Sequence, residues 1–462
     1  MAHEATPGRR MTLPAGRKSR RRFLRSPGQV IVSAFALVVV IGTVMLMLPI
    51  SRSGPGGAPF ITALFTATSA VCVTGLITVD TATYWTGFGQ VVIMALIQVG
   101  GLGIMALASL VGLLMFRRMG LRTRLTAAQE TKSSGLGDVR ALLLGVAKVS
   151  LAIEALVAIL LTGRFLFGYG EAPGRALYLG VFHAVSAFNN AGFALYSNNL
   201  VGFATDPWVC LPIAAALILG GLGFPVLLEL RRELNRPNKW SIHTRLTLST
   251  YFALLVIAVV FVTANEWNNP ATLGPLEPPG RLLAGFFQGV VPRTAGFNSL
   301  DYGQMKDGTI LATTVLMFIG GGSAGTAGGI KVTTFIILLF VILAEVRGGR
   351  DVNIADRRIG SRVQRQALAV ALLAVGLVMS ATLLLLEITS LPLRDVLFET
   401  VSAFATVGLS TGITAQLPVL GQLVLAGMMF VGRLGPITLV SALALREKQL
   451  GYTLPEGRPL IG

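Results

Sequence analysis

A chain of 462 residues that is 53% hydrophobic and 13% charged, with a mean hydropathy of +0.72, is built for lipid; about a quarter of the residues of a soluble domain carry charge. Its 38 Lys and Arg against 21 Asp and Glu leave a net charge of +17, which in a soluble chain would suggest a nucleic-acid partner. Here the basic residues fall between apolar runs, so they speak for orientation in a bilayer and against nucleic acid. Cys72 and Cys210 give no disulfide framework, and His3, His183 and His243 give no metal-ligand spacing.

The N-terminus, residues 1–29, is densely basic from Arg9 to Arg25 and precedes an apolar run at 30–48. A signal peptide is the competing reading. The run of about 19 residues approaches the roughly 20 needed to span, and no small-residue cleavage site follows. It is read as a first, retained helix.

A motif then recurs four times. Aligned on Gly75, Gly192, Gly296 and Gly408, which lie 117, 104 and 112 residues apart, a Phe stands ten positions earlier each time: Phe65, Phe182, Phe286 and Phe398. Six positions before the glycine stands Ser69, Ser186, Val290 or Ser402, and a Leu or Phe follows it. Such periodicity marks an internal repeat, and the fold is to be read in its units. Each unit reads as a spanning helix, a short half-helix, an irregular loop and a second spanning helix.

Repeat A covers 30–118, with spans at 30–48 and 87–116 and a half-helix at 59–71. Repeat B covers 140–232, with spans at 140–167 and 207–230 and a half-helix at 175–188. Repeat C covers 243–347, with spans at 244–265 and 308–346 and a half-helix at 280–291. Repeat D covers 364–446, with spans at 364–388 and 417–445 and a half-helix at 394–404; a tail, 447–462, follows. The expected fold class is all-α and polytopic, with eight transmembrane helices and four re-entrant half-helices.

Connections between repeats are basic: Arg117, Arg118, Arg122, Arg124, Lys132 and Arg140; Arg231, Arg232, Arg236, Lys239 and Arg245; Arg347, Arg350, Arg357, Arg358, Arg362 and Arg365. Connections within repeats lean acidic, at Asp80, Glu171, Asp206, Glu266, Glu277, Asp301 and Asp307. The positive-inside rule places both termini and the inter-repeat loops in the cytoplasm. All four units then point the same way, as a pseudo-fourfold ring requires; inverted repeats would not.

Irregular backbone at membrane depth is tolerated only where it is buried or lines a watery cavity. Four such loops about one axis imply a pore whose carbonyl oxygens replace an ion's hydration shell. Glycine lets the chain turn those carbonyls inward, and the half-helix C-termini favour a cation. The competing reading takes each glycine as an ordinary helix-ending turn; four in register favour the pore. Thr74, Asn190, Thr294 and Thr406 suit close packing behind such a filter.

The helix–half-helix–helix unit repeated four times, with one filter glycine per loop, resembles the Trk/Ktr/HKT superfamily of potassium transporters over nearly the whole chain. Eight spans without an extra N-terminal helix pair resemble its KtrB type rather than its longer TrkH type. The resemblance implies K+ uptake at the cell membrane through a selectivity filter of Val73, Thr74, Gly75, Asn190, Ala191, Gly192, Thr294, Ala295, Gly296, Thr406, Val407 and Gly408. Sodium-selecting relatives carry Ser at the first glycine, so Gly75 implies K+; a sodium-selective or poorly selective channel is the alternative. Na+ is expected as an activating or coupled ion. The resemblance also implies a homodimer and a cytosolic ring of nucleotide-binding subunits (KtrA/TrkA type), and the basic loops fit that ring or anionic lipid.

Within the second span of repeat C, the stretch Gly320, Gly321, Gly322, Ser323, Ala324, Gly325, Thr326, Ala327, Gly328, Gly329, Ile330 and Lys331 cannot hold a regular helix. The resemblance makes it the gating loop, 320–331, beneath the filter. It also contains G-x-S-x-G, but no strand precedes it and no helix is entered as a nucleophile elbow would require, so the chain is read as no enzyme.

Repeats A, B and D share Gly100-Gly101-Leu102-Gly103, Gly220-Gly221-Leu222-Gly223 and Gly432-Arg433-Leu434-Gly435. An ionisable residue inside a span is costly and usually functional. The resemblance makes Arg433 part of the barrier under the filter; snorkelling to the cytoplasmic surface is the alternative. Repeat C departs from its sisters at Val290 and Pro292-Arg293, with Arg293 either a buried tether or part of the outer vestibule. Glu154 is paired with Lys148 by spacing, and His183 is read as a packing residue.

Overall fold

The computed structural model describes residues 27–118, 136–349, 351–354 and 357–435; the N-terminus before residue 27, the basic residues Arg122, Arg124 and Lys132, and the stretch 436–462 with its tail lie outside the described residues. Repeat A folds as α1 (Pro27–Met47), α2 (Phe60–Val71), the single turn α3 (Thr81–Tyr84) and α4 (Gly87–Arg118). Repeat B folds as α5 (Leu136–Tyr169), α6 (Pro173–Phe188), α7 (Pro207–Leu222) and α8 (Phe224–Glu233). Repeat C gives α9 (Ile242–Glu266), α10 (Pro278–Val290), α11 (Asp307–Phe318) and α12 (Val332–Val346), and repeat D gives α13 (Ser361–Ile388), α14 (Leu393–Phe404) and α15 (Val419–Leu434). A two-residue antiparallel hairpin, Asn353–Ile354 with Arg357–Arg358, joins C to D.

Helix starts follow from local chemistry. Each half-helix (α2, α6, α10, α14) opens on a proline, at Pro59, Pro173, Pro278 and Pro392, where the missing N–H is no loss. Asp206 and Ser241 accept from Trp208 N (2.9 Å) and Thr244 N (3.2 Å) to cap α7 and α9. At 12, 16, 13 and 12 residues the half-helices reach only about 18–24 Å at 1.5 Å per residue, short of the roughly 30 Å hydrocarbon core.

Two of the second spans differ from the sequence reading. In repeat B the expected continuous span breaks at Gly223, and α7 and α8 meet at 101°. Gly223 sits at φ 94, ψ 142, a region closed to residues with a Cβ. In repeat D the helix ends at Leu434, with Gly435 at φ 83, ψ 136, and the rest of the expected span, 436–445, lies outside the described residues. Repeat C breaks where its glycines predict, between Phe318 and Val332. Only α4 carries the shared glycine motif through as helix. Among the described residues, three helices cross-match a full span in length and apolarity, Leu144–Tyr169, Ile242–Glu266 and Ser361–Ile388, and the bent pair α7–α8 makes a fourth.

The packing is cyclic. The second helix of each repeat touches the half-helix of the next: α4 with α6, α7 with α10, α11 with α14, and α15 with α2. The last contact closes a ring of four. Half-helix side chains form its core, with Phe65, Phe182, Phe287 and Phe398 all but inaccessible. The outer helices invert the soluble pattern: Leu37 and Val40 on α1, Leu156 and Ile159 on α5, Val256 and Val260 on α9, and Leu372 and Leu383 on α13 are exposed. In water such a surface would aggregate; against lipid it is the expected exterior.

Candidate ion-conduction site

The half-helices do not end on the motif glycines. In repeats A, B and D each closes two residues earlier on a residue in the left-handed region, Val73 (φ 55), Asn190 (φ 59) and Thr406 (φ 49); in repeat C, whose half-helix ends at Val290, Thr294 (φ 69) holds the same position before its glycine. In repeats A, B and D the following N–H reaches back five residues, Thr74 to Ser69 O (2.8 Å), Ala191 to Ser186 O (2.7 Å) and Val407 to Ser402 O (2.8 Å), which is the Schellman closure. Repeat C closes differently, with Ala295 N on Val291 O at 3.1 Å. Helix termination is thus carried by residues other than the glycines, so the helix-ending-turn reading of those glycines fails. Of the four left-handed residues only Asn is at home at positive φ; the β-branched Val and Thr are held there by their surroundings.

Gly75, Gly192, Gly296 and Gly408 themselves have φ of 96, 70, 68 and 88. Positive φ at alternate residues turns successive carbonyls to the same side of the chain. The oxygens meet around an axis: those of Thr74, Ala191, Ala295 and Val407 each lie within 2.9 Å of where a Cβ on a glycine of an adjacent repeat would stand. Thr74 O serves Gly408, Ala191 O serves Gly75, Ala295 O serves Gly192 and Val407 O serves Gly296. No residue but glycine fits, and the contacts close the circuit A–B–C–D–A. The serines behind the loops fix this shape: Gly75 N and Gly408 N each donate to the Oγ of Ser69 and Ser402 at 3.1 Å. Ser186 instead donates to Phe193 O at 2.7 Å.

Above the ring lies a vestibule of about 500 Å³ floored by all four glycines and walled by Asp80, Tyr196, Asn199, Asp301, Ser410 and Thr414. Its described lining carries two carboxylates and no Lys or Arg. A lining of that sign favours cations over anions.

Below the ring the loop 320–331 is tucked inward. It docks on the break of repeat B, with Gly322 N on Gly221 O (2.8 Å), Thr326 N on Gly220 O (3.3 Å) and Phe224 N on Ala324 O (3.3 Å). Its own ends are pinned by Gly320 N to Ile330 O (2.8 Å) and Val332 N to Gly321 O (3.0 Å). A Cβ on Gly322 would strike Leu222 O, one on Gly328 the Thr406 hydroxyl, and one on Gly223 Ser323 O. The glycines therefore serve close approach between backbones, not only flexibility. Ser323 Oγ pairs with Thr333 Oγ1 (3.0 Å), and Lys331 Nζ donates to Ala327 O.

Arg433 is buried, 5% exposed, in the last turn of α15, and donates to Thr326 O of the loop and, at 3.1 Å, to Gly100 O of repeat A. It reaches inward, so the snorkelling alternative fails. Arg293 is buried as well: its Nη1 donates to Ile319 O at 2.8 Å, and its guanidinium lies 5.8 Å from the centre of the Tyr251 ring. It is a tether between the repeat-C pore loop and the start of the loop beneath, and it takes no part in the vestibule. Three cationic side chains, Arg293, Lys331 and Arg433, thus gather under the glycine ring, and among the described residues none has an acidic partner.

The proposed pairing of Glu154 with Lys148 does not occur. Lys148 is exposed, while buried Glu154 accepts from Gln98 Nε2 (3.1 Å to each oxygen) and Asn189 Nδ2 (3.1 Å). This network braces α4, α5 and the end of α6. His183 fits its packing role, with Nδ1 2.8 Å from Leu179 O and Nε2 accepting from Leu195 N at 3.3 Å. Sequence reasoning missed the Gln98 and Asn189 partners and the interlock of Gly220–Gly223 with the loop; only the repeated glycine motif hinted at the second.

Residues 12–449 match the family model of TrkH, described as a cation transport protein. The chain is 43% identical over 437 residues to the Ktr system potassium uptake protein B of Bacillus subtilis, covering 95% of this chain and 97% of that one. It is 36% identical to the Ktr system potassium uptake protein B of Vibrio alginolyticus, covering 94% of each. The potassium/sodium uptake protein NtpJ of Enterococcus hirae is 35% identical, with 96% and 99% covered. Among solved structures, the potassium transporter TrkH of Vibrio parahaemolyticus superposes with a TM-score of 0.74 at 15% identity, over 92% of this chain and 87% of that one, a likeness of fold.

Proposed function

This chain belongs to the TrkH family of cation transport proteins, and from that premise we propose that it takes up potassium ions across the cell membrane through the ring of carbonyls at Gly75, Gly192, Gly296 and Gly408. The observation that carries the reading is the closed circuit in which each glycine abuts a carbonyl oxygen of an adjacent repeat. A carbonyl ring exchanges hydration for protein oxygen without covalent chemistry. Relatives named for potassium uptake along nearly their whole length support the same ion.

Gating falls to the loop 320–331 with Arg433. The loop lies across the path below the filter, and the guanidinium holds it from a different repeat. A cation leaving the filter meets positive charge there. Motion of the loop away from the Gly220–Gly223 break opens the path. The relatives' description as parts of a Ktr system supports a cytosolic regulatory partner, for which a nucleotide-binding ring and a homodimeric membrane subunit are the forms proposed. A relative named for both potassium and sodium supports Na+ as a coupled or activating ion.

The test is growth of a bacterium lacking its own potassium uptake at low external K+. Expression of this chain with a Ktr-type cytosolic partner restores growth, and a Gly296→Asp variant present in equal amount does not. Failure of the parent to restore growth while present in the membrane sinks the reading; Na+ uptake without restored growth favours the sodium alternative.

A further inference from the structure

Thr326 and Asn190 are each 1% exposed, and their side chains meet: the Thr326 hydroxyl donates to Asn190 Oδ1 at 3.1 Å. Thr326 belongs to the loop below the glycine ring. Asn190 closes the repeat-B half-helix at φ 59, directly before the Ala191 carbonyl that abuts Gly75. Its counterparts in the other repeats make no such bond to the loop among the described residues. Val73 has no polar side chain, Thr406 Oγ1 has no partner, and Thr294 Oγ1 donates to Arg293 O at 2.6 Å.

Both residues are tied further. Thr326 N donates to Gly220 O at 3.3 Å, and its carbonyl accepts from Arg433. Asn190 Nδ2 donates to Arg293 O (3.3 Å) and Thr294 Oγ1 (3.4 Å) of the next repeat, and Arg293 Nη1 reaches Ile319 O at the start of the loop. The loop therefore grips the ring through both of its ends. The helix behind the amide offers no replacement donor, because Gly220 and Gly221 face it without side chains. A buried amide oxygen left without a donor is costly. Withdrawal of the loop strips Asn190 of its donor and loosens the backbone that aims Ala191 O. An ion that fits the ring and holds that backbone favours the seated loop in return, since coupling between two sites is reciprocal.

We propose that Thr326 is a positioning residue that links occupancy of the glycine ring to seating of the loop. The ring grips its ion while the loop is seated and relaxes its hold as the loop withdraws. Conduction needs that release, because a site that only binds passes nothing. The inference rests on the potassium-uptake reading above, with the ring as the filter.

The measurement is the rate at which a thiol reagent modifies a Ser323→Cys variant in inside-out vesicles bathed in K+ or in Na+, with Ala324→Cys as a second reporter. The native Cys72 and Cys210 are buried and keep the background low. Rb+ uptake by the parent is measured first; if there is none, the uptake reading has failed rather than this one. K+ is expected to slow modification roughly fivefold relative to Na+. Adding Thr326→Val, which keeps the shape and removes the hydroxyl, abolishes the difference, and Thr326→Ser retains it. Equal rates in K+ and Na+ with Thr326 in place overturn the proposal, as does a difference that survives Thr326→Val or is lost in Thr326→Ser. Where immunoblotting finds Thr326→Val missing from the membrane, Thr326→Ala takes its place; absence of both assigns the hydroxyl to folding and overturns the proposal too.

Discussion

At φ 96 Gly75 stands where an L side chain is strained, and a Cβ there would run into Ala191 O. Gly75→Ser therefore displaces one carbonyl of the ring without touching the helices that carry it. The expected outcome is a loss of K+ over Na+ preference of about tenfold, equivalent to about 1.4 kcal/mol, read as Na+ competition against Rb+ uptake. Unaltered competition removes that loop from the filter. Glu154 makes the opposite case, a buried acid with a structural explanation. Glu154→Ala leaves the half-buried Gln98 Nε2 without its acceptor, at about 1–3 kcal/mol, while Asn189 Nδ2 keeps Gln98 Oε1 and Val185 O, each at 2.9 Å. A lower thermal midpoint of the purified protein is expected, with Glu154→Gln intermediate; a midpoint equal to the parent's would show that the network carries no stability.

Two broken helices meet beneath the glycine ring. The bend between α7 and α8 at Gly223 opens a seat for the loop between α11 and α12, and Arg433 at the end of α15 fastens it. Two unit charges 4 Å apart at an effective dielectric near 20 repel by about 4 kcal/mol, enough to hold a cation path nearly closed. Arg433→Ala, or deletion within 321–329, is expected to raise K+ flux from vesicles holding the purified subunit alone and to weaken its dependence on a cytosolic partner. Variants that insert normally but conduct no faster than the parent place the gate elsewhere. Gly223→Ala tests the seat: a Cβ would strike Ser323 O, so the loop is dislodged and flux should rise as it does for Arg433→Ala.

Across the whole molecule the charge asymmetry is the basis of the proposed orientation. Arg231 and Glu277 are both exposed, at opposite ends of the connections that flank α9. With inter-repeat loops inside, Arg231→Cys is expected to react only with reagents admitted to the cytoplasm, and Glu277→Cys with an impermeant reagent from outside. External labelling of Arg231→Cys would invert the molecule and put the vestibule on the wrong side for uptake. The same asymmetry allows the ring: four units pointing one way can each lay a second helix on the next unit's half-helix, and the contact of α15 with α2 completes the circuit.

Much of this was legible in the residues. The period of the Phe–Ser–Gly motif, the proline that opens each half-helix and the apolar runs around it are local properties, and each depends on a few neighbouring positions. So is the glycine-rich break at 320–331, because a helix cannot be sustained there whatever surrounds it. The fate of the shared glycine motif was not legible. Gly103 stays helical, while Gly223 breaks a helix and Gly435 ends one, both at positive φ. The same short sequence accepts either outcome, and packing against the loop chose the break in repeat B. Likewise the sequence shows Arg433 and Glu154 as charges in apolar runs but not their partners, which lie 107 and 333 residues away for the arginine and 56 and 35 for the acid. Those pairings exist only once the ring has closed, because desolvated groups take whatever donors and acceptors the neighbouring repeat brings to the same depth.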